Sequence, residues 1–239
     1  MNKSVAIVTG ASQGIGRSTA IRLAKDFGAV ALVARNGDAL VEVADVVRAT
    51  GAEPLSIALD LSRVESPETV LKTTLDHYGR VDALLNIAGA VPQIDLFEMT
   101  DEQWYEGMEL KLHGARRLTI RAWDALKANK GSVVFMSGSA ALDPKPGFAA
   151  VAATNAAIIA EAKAFAEQGI KDGVQVNSIV PGAVMTGALV QIDFWRALAR
   201  RIQTVDVQKW RETRNSDLFH SSVWSGVLLF APEPLSQLG

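Results

Sequence analysis

Six short apolar runs recur between residues 5 and 180 of this 239-residue chain, and longer segments separate them. Each run is too short to be a typical helix of a globular protein and too apolar to be a surface strand. We therefore interpret each as a strand buried on both faces of a sheet. The runs are Val5–Thr9, Val30–Ala34, Leu55–Ala58, Ala83–Asn86, Ser132–Met136 and Val174–Val180.

The segments between these runs have helical periodicity. Two sets of apolar residues follow the spacing expected for one face of a helix: Ala20, Leu23, Ala24 and Phe27, then Leu40, Val43, Ala44 and Val47. Strand and helix in repeated alternation predict an α/β fold with a doubly wound parallel sheet, three layers and a single domain spanning residues 1–239. In such folds ligands gather at the carboxyl ends of the strands.

The composition of the chain excludes several kinds of site and partner. The chain has no cysteine, which excludes disulfides, thiolate catalysis and Cys-ligated metals. Its 24 basic and 26 acidic residues balance, so no nucleic-acid partner is expected. No His/Asp/Glu cluster has metal-ligand spacing, so no catalytic metal is expected. No run approaches the ~20 apolar residues needed to cross a bilayer. We expect no membrane partner and a cytoplasmic location.

A glycine-rich loop follows the first predicted strand and opens the first helix. Glycine permits a tight turn there, and backbone N–H groups at a helix N-terminus favour a pyrophosphate. Such a loop is a weak signal alone, but its position directly after the first strand strengthens it. The candidate cofactor-binding residues of the loop are Gly10, Ser12, Gln13, Gly14, Ile15 and Gly16.

The end of the second strand bears on which dinucleotide binds. About 20 residues past the loop, an acid would contact ribose hydroxyls, whereas an arginine would hold a 2′-phosphate. This chain has Arg35 there, followed by Asn36. A planar guanidinium suits a phosphate, so NADP(H) is expected in preference to NAD(H). The alternative is an arginine that merely faces solvent.

Several motifs in order resemble those of the short-chain dehydrogenase/reductase family. Thr9 to Gly16 matches TGxxxGxG, and Asn86 to Gly89 matches NNAG with Ile in second place. The resemblance implies a Rossmann-like fold and an oxidoreductase ancestry. It also implies further cofactor contacts, at Asp60, Leu61, Asn86, Ala88, Gly89, Pro181, Gly182 and Thr186.

The family's catalytic residues are not matched. The resemblance places Lys111 at the Asn position, Gly138 at the Ser position, Val151 at the Tyr position and Asn155 at the Lys position. The chain's two tyrosines are followed four places later by acids, so no Tyr-x-x-x-Lys exists anywhere. A positioned general acid contributes roughly 10²- to 10⁴-fold. Ordinary carbonyl reduction is therefore doubtful, and a small-molecule substrate cannot be named.

Substitutes for the missing groups are few. Lys111 could supply a proton or charge if burial lowered its pKa, or it could be a solvated helix lysine. Ser137 and Ser139 could donate hydrogen bonds, but a role in satisfying the loop backbone is the simpler interpretation. His113 cannot face the same cleft as Lys111 if the segment is a regular helix. Asn155 could hydrogen-bond ribose hydroxyls without carrying charge.

Two later regions leave alternatives open. Residues 187–216 break the strand–helix rhythm, and we interpret them as a surface helix or as a lid on the substrate side. Relatives end on a seventh strand that helps to build a tetramer, and here it is expected to be missing or truncated after Leu228.

A homo-oligomer, a dimer or tetramer, is expected. The alternative function is a non-catalytic cofactor-binding regulator or an inactive subunit that pairs with an active relative.

Overall fold

Seven parallel strands form one sheet in the computed structural model, which describes residues 3–182 and the backbone of 227–229. The strands are β1 (Val5–Thr9), β2 (Ala29–Ala34), β3 (Glu53–Ala58), β4 (Ala83–Asn86), β5 (Ser132–Met136), β6 (Gln175–Val180) and β7 (Val227–Leu229). Their order across the sheet is β3-β2-β1-β4-β5-β6-β7. The predicted doubly wound Rossmann-like fold is confirmed.

Helices cover both faces of the sheet. They are α1 (Gly14–Leu23), α2 (Gly37–Ala49), α3 (Ser66–Tyr78), α4 (Asp101–Met108), α5 (Ala115–Ala128) and α6 (Ala149–Asp172). Helices α1 and α2 pack on one face, and α3, α5 and α6 pack on the other. Within β1, Ala6 and Val8 contact the first layer while Ile7 contacts the second. Because both faces are buried along β1, β2 and β4, these strands show no polar alternation. The prediction that the third run is buried on both faces is wrong, because β3 lies at the edge of the sheet and Glu53, Ser56 and Ala58 are exposed.

The predicted strands agree with the observed ones to within two residues. β1, β4 and β5 have the predicted bounds, whereas β2 and β3 begin earlier because Ala29 pairs with both Val5 and Glu53. A seventh strand is present but has only three residues, so of the two expectations, a missing or a truncated strand, the first is wrong. Val227–Leu229 pairs in parallel with Ser178–Val180 at the edge of the sheet.

The expectation that no segment has the length and composition of a membrane span also needs correction. In the described part of the chain, Pro146–Asp172 meets those two criteria, with a mean hydropathy of 1.3 over its most apolar window. Its central residues Ile158 and Ala162 are buried against the sheet. A core helix of an α/β protein passes the same test, so this finding is weak support for a membrane span.

Strand order reverses beside β1, which lies between β2 and β4. The connections from β1 and β4 leave toward opposite faces of the sheet, so their carboxyl ends open into a crevice. In open α/β sheets this switch point is where ligands bind.

Candidate functional site

A cavity of about 610 Å³ occupies this crevice. Many of the residues predicted to bind a cofactor line it: Gly10, Ser12, Gln13, Gly14, Ile15, Gly16, Arg35, Leu61, Ala88, Gly89 and Pro181. Four predicted residues do not contribute to its wall: Asp60, Asn86, Asn155 and Gly182. Thr186 and the predicted lid at 187–216 lie outside the described residues.

The glycine loop is closely packed at two points. Gly10 has φ +68°, and a Cβ there would lie 3.0 Å from Cα of Ala88. A Cβ on Gly16 would lie 2.0 Å from the carbonyl oxygen of Gly10. No larger residue fits at position 16 unless the backbone shifts. Helix α1 therefore begins directly against the strand end.

The N-terminus of α1 offers donors to the cavity. Its capping residue Gln13 makes no side-chain cap, and the first turn contains no acid. The first N–H groups of a helix have no partner within the helix, and the helix dipole favours an anion beside them. Because Gly14, Ile15 and Gly16 line the cavity, this end of α1 suits a phosphate group.

Thr9 joins the glycine loop to the end of β4. Its hydroxyl donates to the carbonyl oxygen of Leu85 at 3.2 Å. The hydroxyl oxygen of Thr9 also accepts from the backbone N–H groups of Ile87 at 2.9 Å and Ala88 at 3.0 Å. One buried hydroxyl thus fixes both walls of the cavity relative to each other.

Asn86 lies behind the cavity wall. It is 4% exposed, and its Nδ2 donates to the hydroxyl of Thr119 on α5 at 3.0 Å. Its Oδ1 has no partner among the described residues. The predicted role for Asn86 is therefore an indirect one in this structure, since the side chain fastens β4 to α5.

Arg35 lies at the end of β2, exposed at the cavity rim. Nearby Asp60 accepts from the backbone N–H and the hydroxyl of Ser62, at 3.0 Å and 2.8 Å. The hydrogen bond from the backbone N–H of Ser62 is the largest cause of a lowered pKa for Asp60. The bond from the Ser62 hydroxyl and the positive charge of Arg35 act in the same direction. Asp60 therefore stays ionised and shapes the loop after β3.

Lys111 is the second cation of the cavity wall. Its Nζ donates to Oδ1 of Asn155 at 2.6 Å and lies 3.4 Å from the carbonyl oxygen of Ser137. Burial lowers the pKa of Lys111 to about 8. Lys111 is half-buried and its ammonium has two protein acceptors, which does not fit the alternative of a fully solvated helix lysine. Of the lining residues that the structure describes, Arg35 and Lys111 are charged and none is acidic.

The segment around Lys111 is not a regular α-helix. Residues Glu109–Gly114 form a π-helical turn between α4 and α5. The argument that Lys111 and His113 diverge assumed a regular helix, so it does not apply here. His113 nevertheless lies outside the cavity wall. Sequence reasoning missed the π-helical turn, for which the residues give no clear signal.

The remaining catalytic candidates have structural partners. The hydroxyl of Ser137 donates to the backbone oxygen of Asn155 at 2.8 Å, although Ser137 lines the cavity. Ser139 is exposed, and its N–H donates to the backbone oxygen of Pro181 at 2.9 Å. Val151 and Gly138 are not part of the cavity wall. Among the described catalytic candidates, Lys111 is therefore the one that lines the cavity and has a proton not already donated to the backbone.

Apolar lining residues also escaped the sequence analysis. They are Val33, Leu59, Ile87, Leu110 and Met136. Most lie at or just after strand ends, which is the signal that could have found them. They make part of the cavity wall apolar, beside its two charged residues.

A second cavity, of about 570 Å³, lies between α5 and α6. It is lined by Arg116, Asp124, Glu161 and Gln168 together with apolar residues. Burial raises the pKa of Glu161 to about 7, while the charge of Arg116 acts in the opposite direction. Its Oε2 has no hydrogen-bond partner among the described residues.

The family model for short chain dehydrogenases matches residues 4–197, which include the glycine loop, both cavity walls and α6. The chain belongs to the short-chain dehydrogenase family. Among curated family members, it is 31% identical over 188 residues to the 3-oxoacyl-[acyl-carrier-protein] reductase of Synechocystis sp.. That match covers 78% of this chain and 76% of the relative.

Solved structures of short-chain dehydrogenases agree with the fold. A metagenomic short-chain oxidoreductase in complex with NADP has a TM-score of 0.76 and 30% identity, covering 83% of this chain and 89% of its own. L-Sorbose reductase from Gluconobacter frateurii, complexed with NADPH and L-sorbose, has a TM-score of 0.74 and 28% identity. That match covers 89% of this chain and 80% of the reductase.

Proposed function

We propose that this short-chain dehydrogenase binds NADP(H) and is an oxidoreductase whose usual proton-relay residues are replaced. The observation that carries the proposal is the cavity at the switch point, whose described wall combines the N-terminus of α1 with two cations and no acid. An anionic dinucleotide fits such a wall. Two of the solved relatives are complexes with NADP or NADPH.

Each part of the cavity wall has a role in this proposal. The N–H groups of Gly14 to Gly16 hold the pyrophosphate, and the guanidinium of Arg35 holds the 2′-phosphate. Leu61 contacts the adenine, with Asp60 fixing the loop behind it. Ala88, Gly89 and Pro181 lie at the nicotinamide side. When bound, the cofactor supplies or accepts a hydride, and the chain supplies orientation and any proton.

Ordinary carbonyl reduction is expected to be slow by the family's own route. Val151 and Gly138 have no proton to transfer, and the Ser137 hydroxyl is already donated to Asn155. This observation favours a second candidate function, a non-catalytic NADP(H)-binding regulator or the inactive subunit of a hetero-oligomer. Cofactor binding is common to both candidates.

The test is a titration of purified protein with NADPH and with NADH, followed by nucleotide fluorescence. Saturable binding with tighter affinity for NADPH is expected. No saturable binding of either nucleotide would remove both candidate functions. Oxidation of NADPH in the presence of a panel of ketones and aldehydes, above the rate without protein, would then favour the oxidoreductase over the non-catalytic protein.

A cytoplasmic location and an oligomeric state complete the proposal. The first rests on the similarity of the chain to reductases such as the 3-oxoacyl-[acyl-carrier-protein] reductase of Synechocystis sp.. Exposed apolar residues on α5 and α6, Ile120 and Ile170, support the second. Light scattering during size-exclusion chromatography, alone and with an active relative added, distinguishes a homo-oligomer from a hetero-oligomer.

A further inference from the structure

The ammonium of Lys111 is held in an unusual setting for a lysine. Both of its acceptors, Oδ1 of Asn155 and the backbone oxygen of Ser137, are neutral. None of the ion pairs formed by the described residues includes Lys111. An ammonium removed from water without a carboxylate partner loses its proton more readily. Lysines tuned in this way act as acids and bases near neutral pH.

Two glycines leave the space that the side chains of Lys111 and Asn155 occupy. A Cβ on Gly89 would lie 2.8 Å from Cδ of Lys111, inside the distance that side-chain atoms tolerate. A Cβ on Gly138 would lie 2.7 Å from Nδ2 of Asn155. The glycine at position 138, where the family resemblance expects serine, is thus matched to the asparagine at position 155. A side chain larger than glycine at either position would require the Lys111 or Asn155 side chain to move.

The backbone around Lys111 is also specialised. A π-helical turn inserts an extra residue into the helix and changes the direction of the side chains that follow. Such turns are rare and are frequently found at functional sites. Here the turn Glu109–Gly114 carries Lys111 at its third residue, and Gly114 packs closely, since a Cβ there would lie 2.7 Å from the backbone oxygen of Leu61.

We propose that Lys111 is the proton donor of this cavity, that Asn155 is its positioning residue, and that the substrate is a carbonyl compound. The inference rests on the proposed function, because the reaction needs NADPH. In the step, the carbonyl carbon accepts a hydride from the cofactor, and the carbonyl oxygen accepts a proton from the Lys111 ammonium. The products are an alcohol, the oxidised cofactor and a neutral lysine amine, which regains a proton from solvent.

The first test needs neither cofactor nor substrate. Protein labelled with carbon-13 lysine is titrated by NMR, and the resonance that disappears in Lys111→Met is followed. Its midpoint is expected near pH 8, whereas ordinary lysines titrate near 10.4. Lys163→Met on α6, exposed and paired with Glu167, is the matched control and should leave the Lys111 resonance and its midpoint unchanged. A Lys111 midpoint above pH 10 would overturn the proposal.

Variants of Asn155 test the positioning role. Asn155→Asp places a carboxylate beside the ammonium and should raise the Lys111 midpoint. Asn155→Leu removes the acceptor while keeping a side chain branched at Cγ, and it should lower the midpoint further. A residue with a purely structural role would change the melting temperature without moving this midpoint. Unchanged midpoints in both folded variants would contradict the positioning role.

The second test uses NADPH and trifluoroacetophenone, an activated ketone. The rate at saturating NADPH is expected to fall as pH rises through about 8, because the ammonium is lost. Lys111→Met and Lys111→Arg are expected to lose roughly 100-fold or more of this rate, together with its pH dependence. NADPH affinity should change by only a few fold in Lys111→Arg, because arginine keeps the positive charge of the cavity wall. No turnover by the parent protein despite NADPH binding would overturn the proton-donor assignment and leave the cofactor assignment standing. No binding would overturn the proposed function itself.

Discussion

The Nζ atom of Lys111 and the Oδ1 atom of Asn155 lie 2.6 Å apart, across the gap between the π-helical turn and α6. By resemblance to the family, an asparagine belongs at position 111 and a lysine at position 155. The two residue types are therefore exchanged across one hydrogen bond. The exchange keeps one ammonium in contact with one amide and moves the charge from α6 to the π-helical turn.

The exchange of residues 111 and 155 predicts which substitutions would restore the family's four catalytic residues. In Gly138→Ser/Val151→Tyr/Asn155→Lys, two ammonium groups compete for one place, since Lys111 remains. Adding Lys111→Asn removes the like-charge contact. The fourfold variant is expected to oxidise NADPH with ketones roughly 10²- to 10⁴-fold faster than the threefold variant.

Two controls accompany that comparison. The fourfold variant with Val151→Phe in place of Tyr has nearly the same shape without the phenol, and it should not gain activity. Melting temperatures show whether each variant is folded. Equal rates in the folded threefold and fourfold variants would contradict the argument from charge.

Arg35 sets the predicted preference between cofactors. Arg35→Ser removes the guanidinium from the cavity rim and should weaken NADPH binding about 10- to 100-fold, since hydrogen bonds to charged groups contribute about 1.5 to 3 kcal/mol. Affinity for NADH should change little. Arg48→Ser, on the exposed face of α2 and paired with Asp45, is the control in fluorescence titrations. Parallel losses for both nucleotides in Arg35→Ser would show that Arg35 has another role.

The glycine loop should not tolerate a methyl group at position 16. Gly16→Ala places a Cβ 2.0 Å from the carbonyl oxygen of Gly10, so the loop must move away from α1. We expect a loss of NADPH affinity and a lower free energy of unfolding, measured by fluorescence and by urea denaturation. Gly147→Ala, whose Cβ meets nothing within 4 Å, is the control and should be neutral or slightly stabilising.

Glu161 predicts a pH dependence of stability. Burial raises its pKa in the folded protein to about 7, against an ordinary value of 4.5. The folded state therefore binds more protons than the unfolded state between these values, and this contribution to stability falls as pH rises through them. Above pH 7 Glu161 is ionised in both states, and the full free-energy cost of burying its charge lowers the stability of the folded protein.

The measurement is urea denaturation of the parent protein and of Glu161→Gln across this range. The variant should be more stable than the parent near pH 8, and its advantage should shrink toward pH 4.5. Arg116 and Asp124 face the same cavity, so both proteins keep them unchanged. Glu42→Gln, on the exposed side of α2, is the control. A difference in unfolding free energy between parent and variant that does not vary with pH would contradict a raised pKa for Glu161.

Much of the fold could be predicted from local pattern. Buried runs such as Val5–Thr9 are apolar throughout because parallel strands are covered on both faces, and the spacing of Leu40, Val43 and Val47 follows one face of α2. The glycine loop was likewise recognisable, because close contacts between Gly10, Gly16 and neighbouring backbone exclude any side chain there. Steric and solvation rules of this kind act over short stretches of chain.

The wall around Lys111 could not be predicted in this way. Whether that lysine faces solvent or the cavity depends on the π-helical turn, on the missing Cβ of Gly89 and on an amide 44 residues away. Asn155, predicted to reach ribose, is 2% exposed and holds Lys111 instead. By itself the sequence determined the alternating sheet, the cradle and the absence of Tyr-x-x-x-Lys. Tertiary structure decided where the remaining ammonium lies, because burial and hydrogen bonding depend on contacts between segments distant in the chain.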